Sequence, residues 1–174
     1  MMDDFLKSAK KQFLYYKSLG EKTMAQLQDN DLFWQYNDES NSVAMIVQHL
    51  WGNMLSRWTD FLTTDGEKEW RQRDQEFEAI INTRSELIEK WDAGWQCLFD
   101  ALDAITPEDW DKPVYIRGER HTVVDAINRQ LAHYPCHIGQ IVFIGKMRSS
   151  GWQSLTIPKG KSQAFNDDMF GKLR

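Results

Sequence analysis

The stretch His133-Tyr134-Pro135-Cys136-His137 decides how this chain is read. It lies inside a long apolar series, Val124, Ile127, Leu131, Tyr134, Ile138, Ile141, Val142 and Met147, that mostly returns to one face every three or four residues. That spacing predicts an amphipathic helix, the last and most apolar of the chain. Thr122 with Asp125 three positions on is a capping signal for its start. Its end falls near Ser150-Gly151, where a glycine can take the left-handed cap conformation. Residues four apart on a helix are separated by about 40° around the axis and about 6 Å along it, so His133 and His137 can present both rings to one ion. Pro135 removes a backbone hydrogen bond between them and is expected to kink the helix there.

Working outward, residues 3 to about 28 carry Phe5, Ala9, Phe13, Tyr16, Met24 and Leu27 at mostly helical spacing, a first helix that Asp29-Asn30-Asp31 ends. After a polar turn with Ser40 or Asn41 as N-cap, Val43, Ile46, Val47, Leu50, Met54, Trp58 and Phe61 predict a second helix to about Leu62. Residues 63–82 have no clear period, and a connection of that length is often functional. It is long enough to run the length of a bundle, which would let helices two and three lie parallel. Trp70 and Phe77 could pin it down. Thr83-Arg84-Ser85-Glu86 is a capping box for a third helix through Ile105. Residues 114–122 read as a β-hairpin turning at Arg117-Gly118-Glu119, and residues 152–174 as an irregular tail. The expectation is all-α: one domain over 1–174, a four-helix bundle with a long crossover, a hairpin and a strap.

An isolated His-x-x-x-His is weak evidence for a metal, because ligation needs a further convergent ligand. His49 is the candidate, at the edge of the apolar stripe of helix two. Three half-buried imidazoles are costly to leave unpaired, since each carries two polar nitrogens, and a shared divalent ion satisfies one on each. The plainer alternative is three histidines hydrogen-bonded in the core. The fourth, His121, reads as a surface or loop residue beside the hairpin. Gln140 is a candidate contact to the ligands or substrate, and Asn53 and Cys136 are candidates for lining the pocket, although Cys136 reads first as a small buried thiol. Gly139 reads as a site of close helix packing.

The formal charge of −5 and a pI near 5.4 argue against a sequence-independent nucleic-acid binder or a polybasic membrane binder. No apolar run is long enough to span a bilayer, and the acidic start, Met-Met-Asp-Asp-Phe, is unlike a signal peptide. A cytoplasmic location is expected, with Cys97 and Cys136 as thiols.

On Ile46-Val47-Gln48-His49-Leu50, the helix-four His-x-x-x-His and the Gly139-Gln140-Ile141 that follows it, the chain resembles the DinB-like (YfiT-like) metal-binding four-helix-bundle family of bacteria. Residues 65–74, Glu76-Phe77-Glu78 and Ser154 to Ser162 resemble one uncharacterised subgroup of it. The resemblance implies an up-down-down-up bundle. It implies a divalent metal on His49, His133 and His137, nickel or zinc first and iron or manganese after them, with water in the open positions. It also implies frequent dimerisation and, in some relatives, transfer of a low-molecular-weight thiol such as bacillithiol or mycothiol.

An open three-imidazole site can lower the pKa of bound water or of a thiol. Transfer of a thiol to a small-molecule electrophile is therefore the leading expectation. Metal-assisted hydrolysis and a non-catalytic metal-binding or dimerising bundle are the alternatives. No carboxylate stands out as an acid or base. Arg71 and Arg73 read as partners of Asp74, Glu76 and Glu78, with substrate carboxylates as the other option.

Overall fold

The computed structural model describes residues 2–172. It is mostly helical, with six helices and one two-stranded hairpin. Helix α1 spans Met2–Met24, α2 Asp29–Leu32, α3 Val43–Trp58, α4 Arg84–Asp103, α5 Val123–Arg148 and α6 Ser162–Gly171. Strands β1 (Pro113–Ile116) and β2 (Glu119–Thr122) pair antiparallel with Val114 opposite His121. The four long helices pack as α3 on α4 and α1 on α5, with lighter contacts of α3 on α5 and α1 on α4. Their shared core holds Phe13, Trp95 and Tyr134, whose rings meet edge-on or tilted at centroid distances of 5.9 to 6.5 Å.

Most helix starts follow local chemistry. Thr83 and Thr122 each accept from the N3 backbone N–H while Glu86 and Asp125 reach back, two complete capping boxes. Helix α3 is capped by Ser42, which accepts from the Met45 N–H at 3.2 Å, and not by Ser40 or Asn41. The ends depart further from expectation. Helix α1 stops at Met24 because the Arg84 guanidinium donates to the Met24 and Leu27 carbonyls, capping it from another helix. Asp29-Asn30-Asp31 instead opens the one-turn α2, whose Leu32 is buried. Helix α3 stops at Trp58, short of Leu62, because Thr59 is extended and Asp60 has φ of 51°. The cap of α5 is Ser149; the positive-φ glycines are Gly118 and Gly160, not Gly151. The tail is not wholly irregular. It ends in α6, which buries no side chain and is held by pairs such as Gln163–Asp167 and Asp168–Lys172.

The crossover between α3 and α4 is tied down along its length. Arg117, with φ of 57°, and Gly118, with φ of 75°, form the hairpin turn. Asp65 accepts from their backbone N–H groups at 2.8 and 2.7 Å, which offsets the strain of a non-glycine residue in the left-handed region. The Gly66 N–H donates to the Tyr115 carbonyl at 2.7 Å, and the Gly66 carbonyl accepts from Ser56 and Arg57. Glu67 receives Arg73 in a two-bond fork of 2.9 and 2.6 Å and lies 3.3 Å from Arg117. A one-turn 3₁₀ helix at Asp74–Phe77 then brings the segment against α3. No helix among the described residues is long and apolar enough to cross a membrane.

Candidate metal centre

His49 on α3 and His133 and His137 on α5 come together, with one nitrogen of each within 4.8 Å of the others. The Nε2 atoms of His49 and His133 are 3.3 Å apart, and those of His137 and His133 are 3.0 Å apart. Pro135 lies within an unbroken α5, and it does not prevent the two rings on either side from meeting. His121 stands on β2, outside this group.

Each ring also has a partner on its other nitrogen. His49 Nδ1 lies 2.9 Å from a Glu76 carboxylate oxygen. His133 Nδ1 lies 3.3 Å from Gln130 Oε1, and His137 Nδ1 lies 3.2 Å from Gln140 Oε1. Each Nδ1 faces an oxygen acceptor, so the tautomer with its proton there turns the Nε2 lone pair toward the other two rings. Three nitrogens at this separation could hold one metal ion between them. Two nitrogens about 2.05 Å from a common zinc-sized ion stand about 2.9 Å apart at a right angle and about 3.3 Å apart at the tetrahedral angle. The observed 3.0 and 3.3 Å match that range. The donor set fits a divalent ion.

The electrostatics favour the neutral form of His133 and His137. Burial, and then the positive charge that His137 and His49 would carry, push His133 down to about 3. Burial and His49 also lower His137, although its bond to Gln140 works the other way. Burial alone would raise Glu76, but the hydrogen bonds from His49 and Arg71 outweigh it and hold the carboxyl below the usual range.

Glu76 is the residue that sequence reasoning missed. Only 6 % exposed, it takes Arg71 Nε at 2.6 Å on one oxygen and Arg71 Nη2 at 2.9 Å on the oxygen that faces His49. This carboxylate–histidine pairing fixes the tautomer and aim of a metal-binding ring. Gly52 makes room for it: a Cβ there would lie 2.5 Å from a Glu76 oxygen. Phe77 stacks on the His49 ring at 4.9 Å, closing one face. In a segment without periodicity, Asp74, Glu76 and Glu78 look alike, and only the 3₁₀ turn selects the middle one. Gln130 could have been found, since it stands three residues before His133 as Gln140 stands three after His137.

Other expectations resolve plainly. Gln140 touches His137 through its Oε1. Asn53 is buried but accepts from the Tyr134 hydroxyl at 3.1 Å, so it serves the core. Cys136 is exposed, not a buried thiol, and is not part of the histidine group. Gly139 has open space beside it, not a packed helix. Arg71 pairs with Glu76 as expected, whereas Arg73 pairs with Glu67. Trp70 is 54 % exposed and Phe77 is 42 % exposed, so polar ties more than aromatic anchors hold the crossover.

The family described as protein of unknown function (DUF1572) matches residues 1–161. The chain belongs to the DUF1572 family. Neither a curated protein nor a solved structure matches it.

Proposed function

We propose that this DUF1572 chain is a divalent-metal protein whose open three-histidine site serves transfer of a low-molecular-weight thiol to an electrophile. The observation that carries the metal reading is the convergence of three Nε2 atoms, each ring held from behind by Glu76, Gln130 or Gln140. A divalent ion in such a site supplies Lewis acidity, bringing a thiol to its thiolate near neutral pH.

The chain's own residues define the rest. His133 and His137 are only partly covered, so the ligand set faces accessible space and not a closed sphere. Both oxygens of Glu76 are engaged, by His49 and Arg71, which suits it to holding a ring and not to taking a proton from water. That favours a thiol, which needs no separate base once its pKa is lowered, over hydrolysis. Nickel or zinc suits an all-imidazole set. The kinship to DinB-like bundles, the up-down-down-up order of α1, α3, α4 and α5, a single domain over 1–174, a homodimer and a cytoplasmic location belong to the same proposal. The pairwise helix packing and the His-x-x-x-His on α5 support it.

The test begins with metal analysis of protein purified without chelators, beside His49→Ala and His133→Ala. About one ion per chain in wild type and none in the variants is expected. Wild type that neither carries nor takes up nickel, zinc or cobalt would sink the metal reading. The loaded protein is then incubated with bacillithiol, mycothiol or glutathione and a panel of electrophiles. Conjugation that vanishes with the metal is expected; none across the panel rejects the transferase.

A further inference from the structure

Between Lys68 and Ile80 only two side chains are buried, Arg71 and Glu76, and they are each other's counter-ion. Trp70, Phe77 and Ile80 are exposed, so little apolar burial holds this half of the crossover. It hangs between two fixed points, the Gly66 N–H bonded to the Tyr115 carbonyl and Ile81 in the core. Among the described residues, the hydrogen bonds from α3 to this segment come from two neighbours. Gln48 Nε2 donates to the Gln75 carbonyl at 2.6 Å and to the Glu78 carbonyl at 3.3 Å, and His49 Nδ1 meets Glu76 at 2.9 Å.

The docking is also incomplete. A space of about 220 Å³ remains between the segment and the α3–α4 face, with Trp70, Gln75 and Ile80 on one side and Trp51 and Lys90 on the other. Gln48 Oε1 and Arg71 Nη1 are buried without a hydrogen-bond partner among the described residues, each a cost to the docked state. The balance therefore leans on His49. With Nε2 bound to a metal ion, the ring proton stays on Nδ1, where Glu76 accepts it. In the metal-free site the proton can instead lie on Nε2, 3.3 Å from His133 Nε2, and Glu76 then faces a bare nitrogen.

We infer that residues 68–80 form a clasp whose docking on α3 is linked to occupation of the histidine site, held when the site is filled and released when it is empty. This rests on the metal reading and adds a conformational response to it. A carboxylate behind a metal-binding histidine is worth about 10–100-fold in metal affinity. Linkage is reciprocal, so filling the site favours the docked clasp by the same factor.

The test is amide hydrogen exchange followed by NMR, comparing zinc-saturated with chelator-treated protein, with zinc stoichiometry measured in each. The N–H groups of Arg71, Glu76 and Glu78, bonded within the clasp to the carbonyls of Lys68, Arg73 and Gln75, report its docking. Zinc is expected to slow them about 10–100-fold and to leave the Gly66 N–H, held by the hairpin, unchanged. The slowing disappears in Glu76→Ala and shrinks in Gly52→Ala, whose new methyl crowds the carboxylate. Should Glu76→Ala not fold, Gly52→Ala decides. Stoichiometric zinc without slowing of the clasp overturns the inference and leaves the metal reading standing. Slowing shared equally by Gly66, which is global stabilisation, overturns it too, as does slowing undiminished in the variants. A protein that takes up no zinc removes the metal reading and this inference with it.

Discussion

Gly52→Ala is a small change with a large expected consequence. On an exposed helix the substitution stabilises by up to about 1 kcal/mol through helix propensity. Here the new methyl would meet a Glu76 oxygen at 2.5 Å and its carboxyl carbon at 3.0 Å. Glu76 has nowhere easy to go, being 6 % exposed, forked to Arg71 and bonded to His49 at 2.9 Å. Displacing it loses at least one hydrogen bond to a charged group, about 1.5–3 kcal/mol, and weakens the pairing of a buried guanidinium. The expected net is a loss of about 1–2 kcal/mol of stability in urea unfolding of the metal-free protein. His49 is then no longer held from behind, and zinc or cobalt affinity, measured by competition with a chromophoric chelator, falls about 10–100-fold. A Gly52→Ala protein that is more stable than wild type and binds metal equally well would refute the reasoning. Glu76 would then not be seated against α3 as described.

Glu76→Gln separates charge from shape: the amide oxygen can still accept from His49, so metal affinity falls less than in Gly52→Ala. Arg71, its side chain 1 % exposed, loses its counter-ion, and stability drops by about 3 kcal/mol in the same urea experiment. Tyr134→Phe strips the link between the Trp58 indole and Asn53, bonds of 3.0 and 3.1 Å in the core, and should cost about 2 kcal/mol with metal stoichiometry retained. Loss of the ion in that variant would show that the core, not the ring partners, positions His133 and His137. Glu67 supplies a pH test. Its bonds to Arg73, opposed by burial and joined by Arg117, hold it down at about 2, below the ordinary 4.5. Its contribution to stability is therefore complete above pH 4.5 and lost as pH falls toward 2. Glu67→Gln should be less stable than wild type by about 1–2 kcal/mol at pH 7, a figure reduced for its partial exposure, and the gap should close near pH 2. A gap unchanged at pH 3 would contradict the Glu67 assignment.

Features that depend on neighbours a few residues away were legible in the chain alone. Helical periodicity located the long helices, and the Thr83–Glu86 and Thr122–Asp125 pairs located two of their starts, because capping is closed within one turn. The same locality made the His133–His137 pair legible, since four residues of helix fix where two rings point. The hairpin followed from Arg117-Gly118, where a glycine tolerates the positive φ. Tertiary structure decided everything whose partner is far along the chain. Helix α1 ends where Arg84, sixty residues on, reaches its last carbonyls. His49 joins His133 across 84 residues. Glu76 is singled out from Asp74 and Glu78 only because the 3₁₀ turn lays it into the gap that Gly52 leaves in α3. The stretch from His133 to His137 thus supplied two of the three clustered histidines on one helix, and the crossover, unreadable by period, supplied the carboxylate that holds His49.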